Sequence, residues 1–265
     1  MHTSHDGLLV VTGASSNHFG ALQQLLESLR RLDADVVCYD LGLDERQRRA
    51  ICTWRGLTLR DFDFARYPEH LRVEVNAGEY AWKPVIVAEM VEQELACATP
   101  RDVVWVDAGT YFHALAPLAA RIRASGGLYV RASSGTIRDW THPRMFAYLG
   151  EDMHLYAFGS NADATLVGLA LGHAGGAERQ ALYERLVAPW RACALARDCI
   201  APAGSSRANH RQDQAVLSYL VHKGRYAFAA DSWRDLGVRC KCDRWFYRYI
   251  SFHVPQALYA RGCLY

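Results

Sequence analysis

No stretch of the chain holds the roughly 18 uninterrupted apolar residues that would cross a bilayer, so no transmembrane segment is expected. A peripheral position on a membrane face stays compatible with this. The start, Met1-His2-Thr3-Ser4-His5-Asp6-Gly7, is polar and has neither the basic nor the apolar region of a signal peptide. A cytoplasmic location is the expectation. An excess of one charge is missing as well: the net charge is +2 over 265 residues, and nothing calls for nucleic acid as a partner. Repeats and low-complexity linkers are absent, which leaves no signal for a domain boundary. Lysine is scarce, with three in the chain, and so each one is conspicuous. The eight cysteines lack C-x2-C spacing: Cys193 and Cys199 stand six apart, and one residue separates Cys240 from Cys242. They read as small thiols, with a Cys193–Cys199 bridge or a metal pair at Cys240 and Cys242 as alternatives.

Among what is present, the 51% hydrophobic content suffices for one sizeable core. Leu8 to Val11 reads as a buried strand ending in Thr12-Gly13. Leu22, Leu25, Leu26 and Leu29 then form one helical stripe. Val36 to Tyr39 is a second strand. Asp44 and Gln47 look like a capping pair for a helix running to Arg55-Gly56. Leu57 to Phe62 is a third strand, Pro84 opens a helix, and Val103 to Val106 is a fourth strand. Farther on, 126–130 and 166–171 read as strands, Ala177 to Ala196 as one long helix, and Gln212 to His222 as another. The alternation predicts an α/β fold of one domain, 1–265, with a mainly parallel sheet and helices on both faces.

Two sets of residues compete for the function. Thr12-Gly13-Ala14-Ser15-Ser16, Asn76-Ala77-Gly78 and Tyr219-x-x-x-Lys223 resemble signatures of short-chain dehydrogenases, which would make the protein an NAD(P)-dependent oxidoreductase. Each fails physically. Asn17 stands where a second glycine would let a pyrophosphate approach the backbone. Asn76-Ala77-Gly78 follows no hydrophobic strand, and Lys223 is followed at once by Gly224.

The other set runs in consistent order. Strand Val103 to Val106 delivers Asp107 to the crevice beyond the carboxyl ends of the strands, where ligands bind in open α/β sheets. A carboxylate there can hold a divalent cation or sugar hydroxyls. Lys83, within Tyr80-Ala81-Trp82-Lys83-Pro84, stands at a helix start and can neutralise phosphate. His210-Arg211-Gln212-Asp213-Gln214 opens an apolar helix with more polar groups than capping needs, since Asp213 alone could cap. Between these, Arg131 to Thr136, with Ser133 and Ser134, reads as a polar loop; with Trp140 it would suit a sugar-binding wall.

Thr12 to His18, Tyr39 to Leu43, Tyr80 to Pro84, Trp105 to Gly109 and His210 to Gln214 resemble a family of uncharacterised glycosyltransferase-like proteins. That family looks like a distant relative of the family 8 glycosyltransferases. The resemblance implies a GT-A fold in which about 1–110 binds the nucleotide and about 111–265 faces the acceptor. It implies a nucleotide-sugar donor, UDP-linked, a glycan or lipid-linked acceptor, and a place in polysaccharide biosynthesis. Thr12, Ala14, Ser15, Asn17 and His18 would line the nucleotide site, and Lys83 would approach the diphosphate or the sugar. Asp107 would match the first acid of the Asp-x-Asp motif, whose second acid is replaced by Gly109. Mn²⁺ or Mg²⁺ would then be held by Asp107 and a late histidine, for which His253 is the candidate. Asp213 and Gln214 would match the Asp-Gln pair that faces the donor sugar. Trp82, Ser133, Ser134, Trp140, His210 and Arg211 would contact substrate. A GT-A-like module that binds without catalysing is the third reading, suggested by the missing second acid.

Overall fold

The computed structural model describes residues 7–51 and 53–239. In chain order the strands are β1 (Leu8–Ala14), β2 (Asp35–Asp40), β3 (Leu57–Asp61), β4 (Asp102–Val106), β5 (Tyr111–Phe112), β6 (Leu128–Thr136), β7 (Ser160–Leu169) and β8 (Val238–Arg239). The α-helices are α1 (Phe19–Arg31), α2 (Glu45–Ala50), α3 (Trp82–Leu95), α4 (Ala116–Arg123), α5 (Ile137–Trp140), α6 (Pro143–Leu149), α7 (Gly176–Leu182), α8 (Ala188–Leu195), α9 (Arg197–Ile200) and α10 (Gln212–Lys223). They group into two compact units, each drawn from separate stretches of the chain.

The first unit takes in the described residues of Met1–Phe62, Val106–Arg121 and Asp231–Tyr265. Its strands β3, β2 and β1 lie side by side and parallel, with Val10 opposite Val36 and Val37 opposite Thr58. All of β1 is buried, the pattern of a strand covered on both faces. Leu22, Leu25, Leu26 and Leu29 of α1 are buried as one stripe. Ser28 Oγ donates to Leu25 O at 2.7 Å and accepts the Phe112 N–H at 3.1 Å, which ties β5 to α1. The Asp44–Gln47 capping box forms as the sequence predicts. The helix behind it, however, stops at Ala50 and does not reach Gly56. None of its six residues is buried, so no apolar face holds a longer helix in place.

The second unit comprises Asp63–Trp105 and Ile122–Ala230. Helix α3 is covered nearly all round, and even its Glu94 is buried, held by the N–H and guanidinium of Arg101. Strands β6 and β7 pair antiparallel, with Leu128 opposite Leu169. Arg131 to Thr136, read from sequence as a loop, instead continues β6, with register irregularities where it pairs with β7. The single helix expected over Ala177 to Ala196 is divided. Between α7 and α8 lies a π-helical turn, Tyr183–Val187, with Pro189 just after it. Proline has no N–H for an ordinary helical bond, and a π-turn is one way a helix absorbs such a break. Cys193 of α8 and Cys199 of α9 form a disulfide.

Candidate active site

The second unit places its chemistry on the first turns of α3 and α10. The chain enters α3 through an unusual approach: Asn76, Ala77, Gly78, Glu79 and Tyr80 all have positive φ, between 47° and 64°. Left-handed backbone costs a residue with a Cβ about 1–2 kcal/mol, so such a run persists only where its surroundings enforce it. Here they do. Glu79 is buried, and its Oε2 accepts from Asn76 Nδ2 at 2.9 Å and from Gln212 Nε2 at 3.2 Å. Trp82 Nε1 donates to Ala77 O at 3.1 Å. The Arg207 guanidinium covers the Tyr80 ring, 5.0 Å from its centroid, and donates to the Tyr80 hydroxyl. Gly78 is required twice over, because a Cβ would also lie 2.3 Å from Leu71 O.

This turn delivers Trp82 and Lys83 to the start of α3. Lys83 is 4% exposed; its Nζ lies 2.8 Å from Asp213 Oδ2, donates to Ala164 O at 3.2 Å and sits 5.6 Å from the centre of the Trp105 ring. The Asp213 side chain is 7% exposed, and Trp190 Nε1 donates to its carbonyl at 2.9 Å. Two residues 130 positions apart, which the sequence offered as diphosphate and catalytic candidates, thus share one buried ion pair. The helix-capping alternative for Asp213 does not hold: the N-cap is Arg211, and no side chain caps this end. Trp82 is mostly buried, with its ring 5.9 Å from Trp105 and 6.1 Å from Tyr80, forming an aromatic wall beside the pair.

The remaining predicted residues of this unit divide by geometry. Arg211 stacks on Trp140, with its guanidinium carbon 4.1 Å from the ring centre, and its N–H donates to Trp140 O at 3.0 Å. Trp140 Nε1 donates to Ser134 O at 2.9 Å, which joins exposed Ser134 and half-buried Ser133 of β6 to the same patch. Gln214 is half-buried in the first turn of α10, its N–H bonded to Arg211 O at 2.9 Å. His210 is fully buried. Its Nδ1 accepts the His142 N–H at 3.1 Å and its Nε2 donates to Ile200 O at 2.9 Å. With both nitrogens committed to backbone it braces the loop ahead of Arg211, and it has none left for substrate. Burial lowers its pKa from 6.5 to about 4.

The first unit holds the other predicted cluster at the carboxyl ends of its strands. Thr12 is fully buried and donates from Oγ1 to Val106 O at 2.8 Å, next to Asp107. Ala14 is buried, while Ser15 is half-buried and Asn17 and His18 are exposed. Asn17 Oδ1 collects Ser15 Oγ at 2.7 Å and His18 Nδ1 at 2.8 Å. The next turn, within the Tyr39 to Leu43 segment, is organised by Asp40, whose Oδ1 accepts the N–H groups of Gly42 and Leu43 at 2.8 and 2.7 Å. Gly42 O in turn accepts the Ser16 N–H at 3.1 Å. Asp107 is half-buried directly after β4, in a turn through Gly109 closed by the Thr110 N–H on Asp107 O at 3.2 Å. Among the described residues no group of three or more His, Cys, Asp or Glu could hold a metal ion. A Mg²⁺ site built on one or two carboxylates takes its other ligands from substrate phosphate and water, and Asp107 is the described residue that would supply a carboxylate. His253 lies outside the described residues.

Tyr219 and Lys223, the pair that suggested a dehydrogenase, do meet: Nζ lies 2.8 Å from the hydroxyl. Both are tied to Glu151 Oε1, at 2.8 Å from Tyr219 and 2.6 Å from Lys223. Burial pushes the Tyr219 hydroxyl up to about 12, and the contact with Glu151 raises Lys223 as well. A tyrosine serving as acid or base near neutral pH needs the opposite shift.

Glu79 is the site residue missed from sequence; Tyr80, Trp105 and Gln212 stood within the segments singled out there, without a role of their own. Glu79 was hidden because a run of left-handed residues has no periodic signal. Gly78 was the one readable hint, and it had been weighed only against a dehydrogenase motif.

A family described as a protein of unknown function (DUF1647) matches residues 1–88. No curated protein matches the chain. Among solved structures, the apo structure of the bifunctional glycosyltransferase WbbM superposes with a TM-score of 0.53 at 14% identity, covering 86% of this chain and 40% of that one. The chain therefore spans well under half the length of that protein. The galactosyltransferase LgtC, in complex with donor and acceptor sugar analogs, gives a TM-score of 0.47 at 15% identity over 97% of this chain and 100% of that one. Mouse xyloside xylosyltransferase 1 gives 0.44 at 12% identity, covering 87% and 89%. The likeness to WbbM shows the fold, an α/β architecture of the GT-A kind.

Proposed function

We propose that the protein is a glycosyltransferase that moves a sugar from a UDP-sugar to a glycan or lipid-linked acceptor. The observation that carries this reading is the buried Lys83–Asp213 pair. Glycosyl transfer separates charge: the sugar ring becomes oxocarbenium-like while the departing diphosphate gains negative charge. A carboxylate and an ammonium fixed 2.8 Å apart in a water-poor setting form a dipole suited to that separation. In this reading Asp213 faces the anomeric carbon, Lys83 takes the diphosphate, and Gln214 and Arg211 orient the sugar. Thr12 to His18 and Asp107 serve the nucleotide and ribose. The stacked Arg211–Trp140 pair and the Trp82 wall suit the flat CH faces and hydroxyls of a sugar.

Thermal unfolding with a panel of nucleotide sugars tests the assignment, because a ligand selective for the folded state raises the melting temperature. UDP or a UDP-sugar should raise it and NADPH should not. Stabilisation by NADPH equal to or above that by UDP would overturn the reading. Gly109 at the place of a second acid favours a second possibility, a module that binds the nucleotide sugar without turnover. UDP release with a panel of glycan and lipid-linked acceptors separates the two.

A further inference from the structure

We propose that the second unit carries another ligand site, for a small amphiphile with a phosphate head on an apolar body, at the C-terminal end of α10. This lies some 15 Å along the helix from Asp213 at a rise of about 1.5 Å per residue. A cavity of about 590 Å³ opens there, within the range of small-molecule sites. Its floor is apolar, built from Leu149, Pro189, Val216 and Leu220, and its charged lining residues are Glu184, Arg185, Lys223 and Arg225.

Arg185 leaves the π-helical turn Tyr183–Val187, and Arg225 stands in the left-handed position of the cap that ends α10, where the N–H groups of Arg225 and Tyr226 bond to His222 O and Val221 O. The charge along the lining is what marks the site. Lys223 is tied to Glu151, while neither Arg185 nor Arg225 makes an ion pair among the described residues, so two guanidinium groups stand against the single carboxylate of Glu184. Two guanidinium forks match a dianionic phosphate better than a single carboxylate. An inorganic ion would leave the apolar floor wet, and a neutral detergent would leave both arginines unanswered. The phosphate amphiphile satisfies both halves.

Calorimetric titration of the full chain with octyl phosphate, below its micelle concentration, tests the site against inorganic phosphate, octanoate and octyl glucoside. We expect saturable one-to-one binding of octyl phosphate, about tenfold or more tighter than each of the other three. The double variant Arg185→Gln, Arg225→Gln should lose about tenfold with an unchanged melting temperature. Arg225→Gly, which adopts the left-handed backbone without strain, should weaken binding while keeping the fold. Equal binding of inorganic phosphate or octyl glucoside would overturn the proposal, as would parental affinity in the double variant. The UDP response of these variants should match the parent, so this inference and the glycosyltransferase reading fail separately.

Discussion

At the scale of single residues, losing the Lys83 ammonium leaves the Asp213 carboxylate buried opposite a vacancy of charge. Breaking a buried pair from one side costs about 3–5 kcal/mol, far more than a surface pair would. Lys83→Met should therefore lower the urea midpoint sharply, and Lys83→Met with Asp213→Leu should recover part of the loss. If each single and the double are additive, the pair is not coupled. Asp213→Asn keeps an oxygen toward Lys83 and removes the charge. Its turnover should fall about 100-fold or more, equivalent to about 3 kcal/mol of transition-state stabilisation. Activity within a few-fold of the parent would move the catalytic role elsewhere.

His210 makes a second residue-level prediction, in pH. Its folded pKa of about 4 lies below its ordinary 6.5, so the unfolded chain takes up the proton first as pH falls. The stability tied to neutral His210 is complete above pH 6.5 and is lost between pH 6.5 and about 4. The full effect is of order 3 kcal/mol. His210→Gln should cost stability at pH 7.5 yet flatten the decline toward pH 4.5. An unchanged slope in denaturant titrations across that range would show that His210 is not the responsible group.

At the scale of elements, the left-handed turn Asn76–Tyr80 is the costliest piece of backbone near the site. Ala77 is exposed with φ of 57°, and Ala77→Gly should raise stability by about 1 kcal/mol by relieving that strain. Gly78→Ala should lower it by about 2 kcal/mol or more, since its Cβ would meet Leu71 O. Urea unfolding checks both, and a neutral Gly78→Ala would mean the turn relaxes freely. This turn also shows where the sequence stops being legible. The strands β1 to β4, the stripe on α1 and the Asp44 capping box follow from periodicity and caps, which are local. Lys83, Asp107 and Asp213 could be picked out because scarce or charged groups stand at element ends. Glu79 could not, since it is placed by a hydrogen bond to Gln212, 133 positions away. The π-turn escaped for a related reason: Pro189 was visible in the sequence, but the way the helix would absorb it was not. His210 looked like a ligand because its two backbone partners, at His142 and Ile200, come from tertiary folding.

At the scale of the whole molecule, neither unit is one continuous piece of chain, and the span matched by the DUF1647 family, 1–88, completes neither of them. Thr12 Oγ1 needs Val106 O, and the Ser28 hydroxyl that braces α1 needs Phe112, both beyond that span. Residues 1–88 expressed alone should therefore show no cooperative thermal transition. A sharp transition in calorimetry would make that span a domain in its own right.

The interleaving of the two units also sets an order of birth. As the polypeptide leaves the ribosome, the second unit has all its residues once Ala230 has emerged. The first unit holds β1, made before any part of the second unit, yet lacks β8 until Val238 and Arg239 appear to pair with β5. The part synthesised first is thus the part finished last. Until then β1 to β3, rich in valine and leucine, wait incomplete during translation, and that interval is when a nascent-chain chaperone would matter most to this protein.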